Sequence, residues 1–416
     1  MTHHDQDIPT VARRFMRYVA IDTQSQEEAT TYPSTEKQKD LGRLLVSELK
    51  EIGLTDAEMD EWGYVFATLP GNVDKAVPTI GLISHVDTAP AVTGKDVKPV
   101  LHRNYQGGAL TLPADPSAVI DPTESPALKN CMGHDIITSD GSTLLGADDK
   151  AGVAEIMTAV EYLIAHPELK HGRVRIAFTC DEEIGRGTEH FDIEKFGAKF
   201  AYTIDGETAG EIENETFCAD GATVVFKGIN VHPGYAKNKL VSAIKAASFF
   251  VRSLPPDFAP ETTEGRQGYL HPVSISGTEE LGTVKLIVRD FEEDGLHRLE
   301  DVLRDLAERT KKEFPGSDAQ VTIEEQYRNM RMKLDEAPQV VEYAMEAVKR
   351  AGAKPGLSSI RGGTDGSKLT QMGLPTPNVF TGGHNFHART EWISIQDMEL
   401  GVKTLVELVQ VWSEKS

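Results

Sequence analysis

Residues 173–185 read Arg-Val-Arg-Ile-Ala-Phe-Thr-Cys-Asp-Glu-Glu-Ile-Gly. A mostly apolar run of this length suits a strand buried on both faces. Three consecutive acids directly after it must be solvated, paired or metal-bound. The same texture recurs around it. Tyr64 to Leu69, Thr79 to Ser84 and Phe200 to Ile204 read as strands. Between them lie helical stripes: Leu41, Leu44, Leu45 and Leu49, closed by Gly53, and Val153, Ile156, Met157 and Val160. Strands separated by helices predict an α/β domain with a mostly parallel sheet, and such sheets bind ligands at the carboxyl ends of their strands.

Further along, the pattern changes. Thr223 to Ile229 is extended and Leu240 to Leu254 helical. Pro272 to Gly277 and Thr283 to Phe291 are extended, Leu296 to Phe314 helical, and Ala319 to Tyr327 extended. That β-α-β-β-α-β order is ferredoxin-like. After Met330 the alternation resumes, with a helix near Val340 to Ala351, a strand near Thr376 to Phe380 and a helix from Ile395 to Trp412. The expected organisation is a discontinuous α/β catalytic domain, 1–215 and 328–416, interrupted by an inserted α+β lid domain at 216–327.

Charge and composition exclude several classes. With 43 Lys plus Arg against 65 Asp plus Glu, the net charge is −22, which disfavours nucleic acid and anionic membranes as partners. Cys131, Cys180 and Cys218 are sparse and odd in number, so neither a disulfide framework nor a zinc ribbon is expected. The opening MTHHDQDIPT lacks a basic stretch followed by an apolar one. Without a leader or a long apolar run, a cytoplasmic enzyme is the expectation.

Five segments, each expected at a strand end, carry chemistry. They are Ser84-His85-Val86-Asp87, Gly146-Ala147-Asp148-Asp149-Lys150-Ala151-Gly152, Asp181-Glu182-Glu183, Ile204-Asp205-Gly206 and Gly382-Gly383-His384-Asn385-Phe386-His387. Each alone has a bland explanation. His-x-Asp fits a surface histidine beside a capping acid, and paired acids fit a helix N-terminus. Three acids fit an exposed loop, and Asp-Gly fits a turn. Jointly they supply imidazole and carboxylate without thiolate, a set that suits zinc, cobalt or manganese. Five ligands with one shared carboxylate fit two metals about 3.5–4 Å apart. One of Asp148 and Asp149 would bridge, Glu182 and Glu183 would divide into ligand and proton shuttle, and either His384 or His387 would point inward. No Gly-x-Ser-x-Gly elbow and no phosphate-binding loop competes.

Ile83 to Thr88, Leu145 to Gly152, Asp181 to Gly185, Val231-His232-Pro233-Gly234, Arg289-Asp290-Phe291, Arg361-Gly362-Gly363-Thr364-Asp365-Gly366 and Phe380 to Gly383 occur in this order. In that order they resemble segments of the co-catalytic dizinc exopeptidases and deacylases, of the aminoacylase and glutamate-carboxypeptidase type. The likeness spans nearly the whole chain and is strongest to the tripeptide-aminopeptidase branch. It implies two zinc ions per subunit, with cobalt or manganese as alternatives. His85 and Asp205 would hold the first, Glu183 and His387 the second, and Asp148 would bridge, with a cis peptide bond after it. Glu182 would be the general base, Asp87 would orient His85, and His232, Arg289 and Arg361 would bind a short peptide. Two places depart from that branch. Glu207-Thr208-Ala209 follow Gly206 where glycine is usual, and His384 replaces a familiar aromatic. Hydrolysis of the N-terminal residue from tripeptides is the implied activity. The near rival is a dizinc dipeptidase or N-acyl amino acid deacylase. The distant one is a metal-dependent peptide-binding module, against which the presence of both Glu182 and Asp87 counts.

Overall fold

Alternating apolar side chains build the main sheet in the computed structural model, which describes residues 8–416. Residues 1–7, within the segment read as lacking a leader, lie outside the described residues. β1 (Val65–Leu69), β2 (Ile80–His85), β3 (Val174–Thr179), β4 (Phe200–Gly206) and β5 (Asn378–Phe380) belong to one eight-stranded mixed sheet. Their spatial order is β1-β3-β2-β4-β5. β2 pairs parallel with β3 and β4, β4 pairs parallel with β5, and β1 runs antiparallel to β3.

Every residue of β2 and β3 is buried. Leu82, Ile176 and Phe178 join one hydrophobic cluster, while Ile83 and Ala177 join another on the opposite face, as the period of two requires. The larger cluster is completed by α1 (Thr10–Val19), α2 (Ala147–Ala165) and α3 (Ile395–Lys415). The stripe Val153, Ile156, Met157 and Val160 is buried there. Each such side chain contributes about 1.5–3 kcal/mol by leaving water. Gly152 lets α2 approach β4: a Cβ at this position would overlap the Ile204 carbonyl.

A second, four-stranded antiparallel sheet escaped the sequence reading. Its strands Gly383–His384, Trp392–Ser394, Ile136–Thr138 and Val100–His102 lie in that order. They are only two or three residues long, too short to show a period. Burial of Trp392 against Tyr105, Leu112, Leu128 and Ile136 holds them. The expectation that all five chemical segments end strands is thereby corrected. The segment with Asp148 enters α2 from a loop that follows Ile136–Thr138, and His387 lies in the loop between the strands Gly383–His384 and Trp392–Ser394.

The chain divides into two compact units. One runs up to Asn214 and includes Met330–Ser358 and Thr364–Ser416; the other is Glu215–Asn329 with Ser359–Gly363. In the second unit the strands Cys218–Lys227, Tyr269–Gly277, Leu281–Asp290 and Asp318–Tyr327 form an antiparallel sheet. Numbered along the chain, their spatial order is 2-3-1-4. Helices Ala243–Arg252 and Glu293–Glu313 pack on it through Phe250, Leu296, Leu299 and Leu303. Its first strand begins at Cys218 rather than at the expected Thr223. Ala219, Asp220 and Gly221 have weak strand propensity, but ladders to Arg289, Val288 and Ile287 override it. Among the described residues no helix is long and apolar enough to cross a membrane.

Candidate metal centre

His85 is the last residue of β2, Asp205 lies at the end of β4, and Glu183 sits in the short turn Glu182–Ile184 after β3. These three come from the carboxyl edge of the main sheet. Asp148 and His387 are brought in by the smaller sheet and its loops. Asp148 stands between two histidines. Its Oδ1 is 2.9 Å from His85 Nε2 and its Oδ2 is 3.1 Å from His387 Nε2. Asp205 Oδ1 is 3.6 Å from the same His85 nitrogen, and Glu183 Oε2 is 2.8 Å from the same His387 nitrogen. Two histidine–carboxylate pairs thus share one carboxylate.

Asp87 fixes this arrangement from behind. His85 Nδ1 is 3.1 Å from the Asp87 carbonyl and 3.3 Å from its Oδ1, which leaves Nε2 facing the cluster. The same buried carboxylate accepts the backbone N–H groups of Glu182 at 3.0 Å and Glu183 at 3.2 Å. Asp149, joined to Asp148 by a cis peptide bond, turns the other way. Its Oδ2 accepts the His85 N–H at 3.1 Å and the Ser84 hydroxyl. The adjacent acids therefore divide, one toward the imidazoles and one toward the end of β2. Lys150 is buried, donates to the Ile21 carbonyl at 2.7 Å, and is pushed down to about 7 by that burial.

The electrostatics call for positive charge. Burial raises Glu182 well above the ordinary carboxylate range, Glu183 to about 8 and Asp205 to about 6. Burial opposes ionisation of Asp148 too, but hydrogen bonds from His387 and His85 outweigh it and hold its carboxyl down. His387, half exposed, is raised to about 11 by Asp148 and Glu183. Glu183 Oε1 and Asp149 Oδ1 are buried without a hydrogen-bond partner. Unpaired buried carboxylate oxygens are costly unless a cation meets them. His85, Asp148 and Glu183 offer donor atoms all within 4.8 Å of one another, as do His85, Asp149 and Asp205. Imidazole and carboxylate donors at this spacing fit divalent zinc, cobalt or manganese.

Several contributors were not read from the sequence. Asp181, the first of the three acids, has φ 61° and accepts from Gln38 Nε2 at 2.6 Å and from Ser34, so it anchors the loop. Asp365 accepts from Thr179 Oγ1 at 2.9 Å, behind the end of β3. Glu391 binds the loop that carries Asp148, accepting from the N–H groups of Leu145 at 2.7 Å, Gly146 at 2.8 Å and Asp148 at 3.0 Å. Its only sequence signal is an acid set against the apolar Trp392-Ile393. His384 points away from a ligand role. It is buried, lies 4.6 Å from the Trp392 ring, and is pushed down to about 4 by burial.

His232, Arg289 and Arg361 belong to the second unit. His232 Nδ1 accepts the Gly234 N–H at 3.1 Å. Arg289 donates to the Asp220 carbonyl at 3.1 Å and to Gln326 Oε1 at 2.9 Å, over the Tyr327 ring. Arg361 donates to the Gly265 and Gln267 carbonyls at 2.6 and 3.1 Å, over the rings of Phe217 and Tyr269.

Comparison with known proteins follows the same lines. Residues 141–411 match the sequence pattern of peptidase family M20/M25/M40. Peptidase T of Bacillus pumilus is 49% identical over 404 residues, covering 97% of this chain and 98% of its own length. Peptidase T of Bacillus mycoides is 50% identical over 404 residues with the same coverage. Among solved structures, aminopeptidase PepT from Bacillus cereus aligns with a TM-score of 0.74 at 23% identity, covering 97% of this chain and 98% of that one. YXEP of Bacillus subtilis, a dinuclear metal binding peptidase, aligns with a TM-score of 0.65 at 16% identity over 98% of each chain. The two structural matches establish a shared fold, and the two sequence relatives go further. The chain belongs to peptidase family M20/M25/M40.

Proposed function

We propose that this M20 peptidase is a dizinc aminopeptidase that removes the N-terminal residue from tripeptides. One observation carries the reading: the two oxygens of Asp148 are divided between a His85–Asp205 pair and a His387–Glu183 pair. In this reading His85 and Asp205 would hold one ion, Glu183 and His387 would hold the other, and Asp148 would serve both. The two peptidase T relatives support a peptide substrate by their names.

When bound, the two ions supply Lewis-acid polarisation of the scissile carbonyl and a lowered water pKa. Glu182 takes the proton of the attacking water and passes it to the leaving amine. Burial raises the proton affinity of its carboxyl, and the two cations would oppose that rise and keep it ionised for the first step. Asp87 keeps the Glu182 backbone and the His85 ring in fixed register. His232 donates to the developing oxyanion. Arg289 and Arg361 bind the peptide carboxylate, which favours short peptides of fixed length. All three belong to the second unit, His232 and Arg289 in the inserted segment 216–327 and Arg361 in Ser359–Gly363.

A panel of free-amine tripeptides, dipeptides and N-acetyl amino acids, run with measured metal content, tests the proposal. Preferential cleavage of tripeptides by protein carrying two metals per chain is expected. Preference for N-acetyl amino acids or dipeptides would move the activity to the near rival. No turnover after zinc, cobalt or manganese reconstitution would leave a binding module.

A further inference from the structure

We infer that Glu391 is a positioning residue that locks the bridging carboxylate of Asp148 to the loop bearing His387, an inference that rests on the dinuclear reading above. The Glu391 side chain is buried, and both its oxygens are committed to one loop. Oε2 accepts from the N–H groups of Leu145 and Gly146, and Oε1 from that of Asp148. Among the described residues no lysine or arginine forms an ion pair with it within 4 Å, and buried Lys150 acts on it from farther away. Three backbone N–H groups therefore face its two oxygens.

Those N–H groups need an outside acceptor. Gly146 has φ 83°, and Asp148 and Asp149 have non-helical backbone angles, so the first residues of α2 do not form ordinary helical turns. Unsatisfied N–H groups at a buried helix start are costly, and Glu391 satisfies three of them. No other side chain does this as well. Glutamine offers one acceptor oxygen in place of two, and aspartate is one methylene shorter.

The backbone of Glu391 belongs to the other metal-bearing segment. It lies four residues after His387 and directly before the strand Trp392–Ser394. Its N–H donates to the Ala388 carbonyl at 3.3 Å, and Asn385 Nδ2 donates to the Thr390 carbonyl at 3.1 Å, closing the loop around His387. Trp392 is paired with His384 on one side and Thr138 on the other. Glu391 thus sits at the start of a clamped strand and reaches from the histidine loop to the aspartate loop. The separation between Asp148 and His387, and with it the second ion's site, is set by this side chain together with the pairing of Trp392–Ser394 and Ile136–Thr138.

The test compares the full-length protein with Glu391→Gln, by zinc titration against a competing chelator and by steady-state kinetics at saturating zinc. We expect an unchanged secondary structure and a loss of about 10–100-fold in zinc affinity, the usual effect of removing an outer partner of metal ligands. kcat should fall while KM stays near the parent value, because the reacting geometry and not the peptide contact is disturbed. A folded Glu391→Gln protein with parental zinc affinity and kcat would overturn the inference, as would a lowered melting temperature with unchanged zinc affinity. If Glu391→Gln does not fold, Glu391→Asp is read by the same outcomes. Zinc affinity is measured without substrate, so an error in the substrate class leaves this result intact. A parent protein that binds fewer than two zinc ions would instead count against the dinuclear reading itself.

Discussion

Asp87 accepts the backbone N–H of Glu182 at 3.0 Å while its other contacts hold the His85 ring. One buried carboxylate therefore sets both a ligand and the acid beside it. The ends of β2 and β3 are joined by this contact, and the position of Glu182 follows from that of His85.

Glu182→Gln should lower turnover by about 10²–10⁴-fold, the usual range for loss of a general base. Two metals should remain bound, since Glu182 is not among the residues that would hold either ion. Steady-state rates with elemental analysis check this; near-parental turnover would remove Glu182 from the base role.

Asp148→Ala should lose both metals, because each of its oxygens faces a different histidine. His387→Ala should weaken mainly one. His384→Ala should keep both, since His384 packs against Trp392 rather than the carboxylates. Metal-to-protein ratios after dialysis decide among the three, and metal loss in His384→Ala with retention in His387→Ala would exchange their roles.

The long apolar runs Arg173 to Thr179 and Phe200 to Ile204 were legible because burial on both faces leaves only one pattern. Val153, Ile156, Met157 and Val160 were legible for the same kind of reason, with period 3.6. What could not be read were pairings made at long range by very short strands. Ile136–Thr138 meets Trp392–Ser394 across the whole catalytic unit, and neither is long enough to announce itself. That sheet delivers Asp148 and His387; the joint donor set led to the expectation of a shared centre with His85, while the choice of Asp148 over Asp149 and of His387 over His384 was implied only by family resemblance. Glu391 and Asp181 were hidden differently: their partners are backbone N–H groups and Gln38, which carry no sequence signature.

His384 should make the metal-free protein acid-sensitive. Its value in the fold is about 4 against 6.5 for a free histidine. Between those values the unfolded chain binds the proton and the folded chain does not, so stability rises with pH through this window. The contribution is complete above about 6.5 and is lost toward 4, at most about 3 kcal/mol. His384→Phe keeps an aromatic ring against Trp392 and removes the titration. Denaturant unfolding at pH 7 and 4.5 with chelator present should show a smaller acid loss in the variant; equal losses would contradict it.

His232→Ala should lower kcat far more than it raises KM, as expected for a contact made mainly in the transition state. Arg289→Ala should instead raise KM, by about 10–100-fold if a charge-assisted hydrogen bond to the peptide carboxylate is lost. Metal content should be unchanged in both. A kinetically silent His232→Ala would take the second unit out of the chemistry.

The dinuclear arrangement around Asp148 is tested most directly by anomalous diffraction from crystals of the zinc-loaded protein. Two peaks about 3.5–4 Å apart are expected, one beside His85 and Asp205, the other beside Glu183 and His387, with Asp148 between them. A single peak, or a pair that does not share Asp148, would contradict it.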